Sequence, residues 1–335
     1  MSSTTSRIVR LTALPDGLPQ PEHFTVEQVP MPVPDDGEVL VRNRLFQVFP
    51  SLRTLIGGGV EGTPFPALRP GDALFGAAIG EVVSAPSGSG LRAGELVQHW
   101  LGWREHAVLA ADQCAPLPGA LPDPAAHLGQ AATAYAALTR DARVRPGDTV
   151  FVAGGAGGVG SLAGQFARML GAGRVIGSTG SRDKAARLVS ELGYDAALVR
   201  GERPIAEQLA EAAPEGIDVL VDNVGGEQLR AAIAAARPGA RFVLVGALAG
   251  QLSPGLPGTT SPVEIDTFAL IAKRIEMRGF GGTAPGAEWA ERFGAWLRSG
   301  AVTFPHTRVA GIELAPRALH ELISGRHLGA VIVEP

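Results

Sequence analysis

Thr149-Val-Phe-Val-Ala-Gly-Gly-Ala-Gly-Gly-Val-Gly-Ser161 runs from a short apolar stretch into a turn with five glycines. Gly155, Gly157 and Gly160 stand in the pattern G-x-G-x-x-G, directly after a predicted strand and at the opening of a predicted helix. The first glycine of such a pattern turns tightly. The second lets the backbone approach a pyrophosphate, and the third lets helix and strand pack closely. Gly158 and Val159 fall inside the same turn. The free N–H groups of the helix start then face the phosphates with a partial positive charge. Glycine-rich turns are common, so the pattern carries weight only inside a βαβ unit of about 30 residues.

Such a unit surrounds it. Thr149–Ala153, Arg174–Ser178, Ala196–Val199, Asp218–Val221 and Arg241–Val245 read as strands. Gly158–Leu170, Arg182–Leu192, Pro204–Ala213 and Glu227–Ala236 read as the helices between them. Strands alternating with helices of this length predict an α/β fold, a doubly wound parallel sheet. Arg274–Gly279 and Ala287–Arg298 are expected to close it, and Ala125–Thr139 to precede it as one Ala-rich helix. The first third differs in texture. Glu38–Asn43, Gly80–Val83, Glu95–Val97 and Ala107–Leu109 are short β-branched runs broken by Pro and Gly, the pattern of a small barrel or sandwich. A tail with a helix at Pro316–Ser324 and a strand at Ala330–Val333 follows. The boundaries expected are 1–124, 125–300 and 301–335.

The 335 residues carry 29 Lys and Arg against 33 Asp and Glu, a net charge of −4, which offers no basic field for nucleic acid or an anionic membrane. Cys114 is the only cysteine, which excludes an intrachain disulfide and a four-Cys zinc site. No apolar signal stretch opens the chain. The uncharged windows Thr149–Ala167 and Phe242–Val263 are interrupted by Gly and Pro, so no membrane span is expected. The expectation is a soluble cytoplasmic protein.

The end of the second strand decides the nucleotide. NAD sites usually place Asp or Glu there, about 20 residues past the glycines. Here the chain reads Gly177-Ser-Thr-Gly-Ser-Arg-Asp-Lys184. Ser178 and Ser181 can donate hydrogen bonds to a phosphate and Arg182 and Lys184 can neutralise it, which favours NADP(H). Asp183 falls in the first helical turn, where acids are favoured anyway. The alternative for Arg182 and Lys184 is a solvated helix face. Asp222-Asn-Val-Gly-Gly226 and Gly246-Ala-Leu-Ala-Gly-Gln251 lie at carboxyl ends of strands, where open α/β sheets bind ligands.

These residues resemble the zinc-independent medium-chain dehydrogenase/reductases. Within them the chain is similar to the leukotriene hydroxydehydrogenase and prostaglandin reductase branch, with the plant double-bond reductases and the bacterial curcumin-type reductases. The pieces that carry the resemblance are Arg145-Pro-Gly-Asp148, Ala153–Gly160, Asn223-Val-Gly-Gly226, Gly102-Trp103, Thr133-Ala-Tyr135, Gly180-Ser181 with Lys184, Gly216-Ile-Asp218, Lys273-Arg274 before Gly279-Phe280, and Gly325-Arg-His-Leu-Gly329. The resemblance implies a GroES-like β-rich catalytic domain built from both termini, a Rossmann domain inserted between them, NADPH in the cleft, and a homodimer. It implies reduction of the carbon–carbon double bond of α,β-unsaturated ketones, aldehydes or quinones, with hydride delivered to the β carbon and an enolate oxygen to be stabilised. Lys184 falls on the family's 2′-phosphate lysine and Asn223 on its cofactor-contacting asparagine. Gly246, Ala247, Leu248 and Phe280 fall along the cofactor.

Departures concern the pocket. The family's Asp-Pro-Tyr-Met-Arg is Phe49-Pro-Ser-Leu-Arg53 here, so Ser51 replaces a pocket tyrosine. A tyrosine after the fifth strand falls on Gln251, a cofactor-side tyrosine after the third strand on Arg200, and an asparagine near the C-terminus on His327. An enolate still needs a donor, because stabilising such an oxyanion is usually the largest catalytic effect. Tyr135, Ser51, Gln251, the cofactor ribose hydroxyl and water remain, with Tyr135 the choice among them, although a helix residue packing between domains describes it as well. Tyr194 is expected far from the nicotinamide. A metal is not expected, since the seven histidines lack metal-ligand spacing, and no hydrolase elbow is present. A non-redox or specialised biosynthetic NADP-binding protein is the alternative function.

Overall fold

The computed structural model describes residues 4–59, 66–117, 119, 121–282 and 288–335. The chain divides into two compact units, one of Met1–Leu128, His306–Arg326 and Ala330–Pro335, the other of Gly129–Pro305 and His327–Gly329.

The first unit is built from strands. β1 (Thr5–Leu11) and β2 (Phe24–Pro30) form an antiparallel pair. β3 (Glu38–Val48) is followed by a short helix α1 (Leu52–Ile56), then β4 (Ala78–Ser84), β5 (Leu96–His99), β6 (His106–Ala110) and β7 (Ala115–Pro116). Val39, Val41, Val82, Val97, Ala107, Leu109 and Cys114 form one apolar core here. The four expected β runs all lie in this sheet, and the β1–β2 pair adds to them.

The second unit opens differently from the expectation. Ala125–Thr139 is not one helix: Pro124–Leu128 is a 3-10 turn of the first unit, α2 spans Ala131–Ala136, and Ala137–Asp141 is a π turn. Gly129 interrupts the run, and glycine weakens a helix interior. Beyond it, strand and helix alternate: β8 (Thr149–Ala153), α3 (Gly160–Met169), β9 (Arg174–Thr179), α4 (Arg182–Glu191), β10 (Ala196–Val199), α5 (Ile205–Ala212), β11 (Ile217–Asp222), α6 (Gly226–Ala235) and β12 (Ala236–Leu244). The short helices α7 (Leu248–Gln251) and α8 (Thr267–Lys273), strand β13 (Glu276–Gly279) and α9 (Trp289–Ser299) complete it. The helix expected from Ala287 has that first residue outside the described residues. Sheet order is β10-β9-β8-β11-β12-β13, with every pairing parallel. This is the doubly wound arrangement, whose direction of growth reverses between β8 and β11. β8 is buried at every residue, which is why it reads as an uninterrupted apolar run.

The chain returns to the first unit with β14 (His306–Ala310), α10 (Ala315–Ile323) and β15 (Ala330–Glu334), giving the order β14-β15-β3-β4-β5-β7 with β6 on β3.

Candidate nucleotide site

The β8–α3 turn takes its bend at Gly154, whose φ of 73° lies in the left-handed region. Gly155, expected to make the tight turn, has no positive φ. Its amide instead donates to the Ser178 carbonyl at 2.8 Å. Gly160 meets its expected role, since a Cβ there would lie 2.2 Å from the Gly154 oxygen and 2.6 Å from the Gly155 Cα. At Gly157 the nearest atom to an added Cβ is the Gly154 oxygen at 3.5 Å, so packing alone does not require glycine there. The amides of Gly158, Val159 and Gly160 donate to no acceptor among the described residues. Three such groups at a helix start make a seat for an anion.

At the end of β9 the expected phosphate ligands separate. Ser178 is fully buried, accepts the Gly154 amide at 2.9 Å and donates to Gln228 Oε1 at 2.5 Å. Its hydroxyl is committed inside the protein, so Ser178 is corrected from phosphate donor to a brace of the glycine turn. Arg182 points outward, 80 % exposed, and is already neutralised by Glu202 at 2.5 Å. Ser181 caps α4 by accepting the Lys184 amide.

Lys184 differs. It is half-buried, and burial, then the charge of Arg200, hold its ammonium below the usual lysine range. Arg200 is fastened by its amide to the Thr179 carbonyl at 2.8 Å, and its Nη2 lies 3.5 Å from where a Gly180 Cβ would be. Among the described residues no acid forms an ion pair with Arg200. Two mutually repelling cations held beside a strand end are arranged for an anion.

The other strand ends join this edge. Asn223 Nδ2 donates to the Ala153 carbonyl at 2.8 Å, and the Asn223 carbonyl accepts the Leu248 amide at 3.2 Å. The Asp222 carbonyl accepts the amides of Val245 and Gly246. Asp222 Oδ1 takes the amides of Val224 and Gly225, both at 2.8 Å, while burial raises the pKa of this carboxyl. Phe280 donates its amide to the Leu244 carbonyl. The return segment holding His327 docks here too, with the Gly329 amide on the Ala156 carbonyl at 2.9 Å. Gly155–Gly160, Lys184, Arg200, Asn223, Gly246, Ala247, Leu248, Phe280 and His327 therefore share the carboxyl edge of one sheet. Gln251 ends α7 beside them.

Tyr135 stands on α2. Its ring packs against Phe166, Trp289 and Trp296 at 5.6, 5.2 and 5.6 Å, with the Arg292 guanidinium over it at 5.0 Å. The structure gives it a packing environment. Ser51 is exposed just before α1, in the first unit. Tyr194, set aside from sequence, sits under the glycine turn, where its hydroxyl donates to the Gly160 carbonyl at 2.7 Å. Gln228 was also missed.

The family models matched are the N-terminal domain of oxidoreductase over residues 7–117 and the zinc-binding dehydrogenase over 158–298. Bovine (Bos taurus) prostaglandin reductase 1 is 31 % identical over 95 % of this chain and 95 % of its own length. The chain belongs to the medium-chain dehydrogenase/reductases. Within that family the 2-alkenal reductase (NADP(+)-dependent) of Nicotiana tabacum is 30 % identical over 95 % of this chain and 94 % of its own. The structure of CurA from Vibrio vulnificus in complex with NADPH superposes with a TM-score of 0.86, at 29 % identity and 98 % coverage of both chains. The family's fold, a Rossmann sheet with a β-rich N-terminal domain, is the one expected from the glycine motif and the β runs. Among the described residues no three His, Cys, Asp or Glu side chains come together as a metal site, and no helix is long and apolar enough to cross a membrane.

Proposed function

We propose that this protein is an NADPH-dependent reductase of activated carbon–carbon double bonds, acting on α,β-unsaturated aldehydes and ketones. The observation that carries the reading is the Lys184–Arg200 pair beside a glycine turn with three available amides. The residues fit the cofactor: the amides of Gly158, Val159 and Gly160 would take the pyrophosphate, and Lys184, Arg200 and Ser181 the 2′-phosphate. Gly157 leaves room for close approach. Asn223, Gly246–Leu248, Phe280 and His327 would border the remainder. When bound, NADPH supplies the hydride received by the substrate's β carbon.

For the enolate oxygen we place Gln251 ahead of Ser51 and Tyr135, because α7 carries it beside the strand ends while the Tyr135 ring is engaged by tryptophans. An amide can donate a hydrogen bond but does not give up a proton, so the proton for the α carbon comes from water. The unit of Gly129–Pro305 with His327–Gly329 serves as the nucleotide domain and the other unit as the catalytic domain. Strand β13 lies at the sheet edge, and Phe268 and Ile271 on α8 are 76 % and 73 % exposed, which supports a homodimer formed there. A single cysteine is in keeping with a cytoplasmic enzyme.

The test is coenzyme selectivity. Lys184→Ala and Arg200→Ala should each weaken NADPH by about tenfold to a hundredfold and leave NADH unaffected, as expected for a charged hydrogen bond to phosphate. Equal loss toward both coenzymes would reject the assignment. Tight NADPH binding without turnover of any enone or quinone would favour the non-redox or specialised biosynthetic reading.

A further inference from the structure

Tyr194 is 3 % exposed and lies in the loop between α4 and β10, outside every motif read from the sequence. Three glycines make room for its side chain. A Cβ on Gly164 of α3 would lie 2.2 Å from the ring's Cε2, and one on Gly177 of β9 would lie 2.7 Å from Cε1. One on Gly155 would lie 3.2 Å from the hydroxyl oxygen. Glycine weakens helix and strand interiors, so its use at 164 and 177 marks a close approach.

A phenylalanine would fill the same space. The hydroxyl adds a polar group to a dry interior, which is unfavourable unless it is bonded. It is bonded to a particular place: the oxygen donates to the Gly160 carbonyl at 2.7 Å. That carbonyl is the one a regular helix starting at Gly160 uses for its first backbone hydrogen bond. The hydroxyl thus sits at the opening turn of α3, whose preceding amides, from Gly158 to Gly160, form the anion seat.

We propose that Tyr194 is a positioning residue for the pyrophosphate, its hydroxyl fixing the aim of the amides in the β8–α3 turn. The inference rests on the dinucleotide reading above. It concerns the pyrophosphate end of the site and not the 2′-phosphate end, where Lys184 and Arg200 stand.

Tyr194→Phe keeps the ring and removes only the hydroxyl. NADPH binding to the purified full chain, followed by fluorescence, should weaken roughly fivefold to tenfold, with KM for NADPH rising in step and kcat within about twofold. Binding of 2′-AMP, which has no 5′-phosphate, should be unchanged in this variant. Unchanged NADPH affinity in Tyr194→Phe would overturn the inference, and so would an equal loss of 2′-AMP, which would mean general loosening. If the wild type itself fails to bind NADPH, the dinucleotide reading falls and this inference with it.

Discussion

Arg241 Nη2 lies 2.6 Å from Asp148 Oδ2, and both side chains are buried, at 5 % and 11 % exposure. The pair ties β12 to the turn that feeds β8, and Arg241 also donates to the Arg143 carbonyl at 2.9 Å. Asp148 in turn holds that turn closed by accepting the Arg145 amide at 2.7 Å. A buried pair is of modest net worth, but removing one partner leaves the other charged and unpaired. Arg241→Ala should therefore cost about 3–5 kcal/mol, read as a shift of the urea midpoint. Replacing Asp148 with Asn, which keeps an acceptor for the Arg145 amide, should cost less. A loss under about 1 kcal/mol for Arg241→Ala would show the pair to be solvated in practice.

The glycines of the turn should separate by function. Gly160→Ala drives a Cβ into backbone atoms of Gly154 and Gly155, so it should destabilise the fold by about 1–3 kcal/mol. Gly157→Ala meets only ordinary contact at 3.5 Å. It should leave the melting temperature close to wild type and raise KM for NADPH about tenfold or more, because the added methyl stands where the pyrophosphate approaches. Comparing melting temperature and KM in the two variants checks both.

Acid should weaken the first unit through His99. This side chain is 2 % exposed, its Nδ1 accepts the Leu101 amide at 3.1 Å, and burial, then the charge of Arg104, lower its pKa to about 4. In the unfolded chain it returns to about 6.5. The unfolded state then binds the extra proton between those values, so the contribution is complete above about pH 6.5 and is lost progressively as pH falls toward 4. The span corresponds to ~3 kcal/mol. His99→Asn retains an acceptor for Leu101 and should flatten the stability–pH curve over that window in urea titrations. An unchanged slope would assign the acid sensitivity to other groups.

The sheet was legible from its short apolar runs: β8, buried at every residue, and β10, an edge strand buried only at Leu198, fall on the residues expected, and β9 differs by one residue. Ala125–Thr139 was not legible, because an Ala-rich run has no periodicity to mark where 3-10, α and π turns succeed one another. At the proposed site, Gly157, Gly160 and Lys184 could be named from sequence because glycine spacing and a lysine at a strand end carry their chemistry locally. Ser178 misled, since a serine at that place reads as a ligand donor until Gln228, fifty positions away, is seen to take its hydroxyl. Tyr194 left a trace only in its neighbours: Gly164 inside a predicted helix and Gly177 inside a predicted strand.

The most direct measurement supplies NADPH and a 2-alkenal together and identifies the product by mass and proton spectrum. The saturated aldehyde, formed one for one with NADPH consumed and without added metal, is the predicted result. An allylic alcohol with the double bond intact, or no consumption across alkenals, enones and quinones, would contradict the assignment.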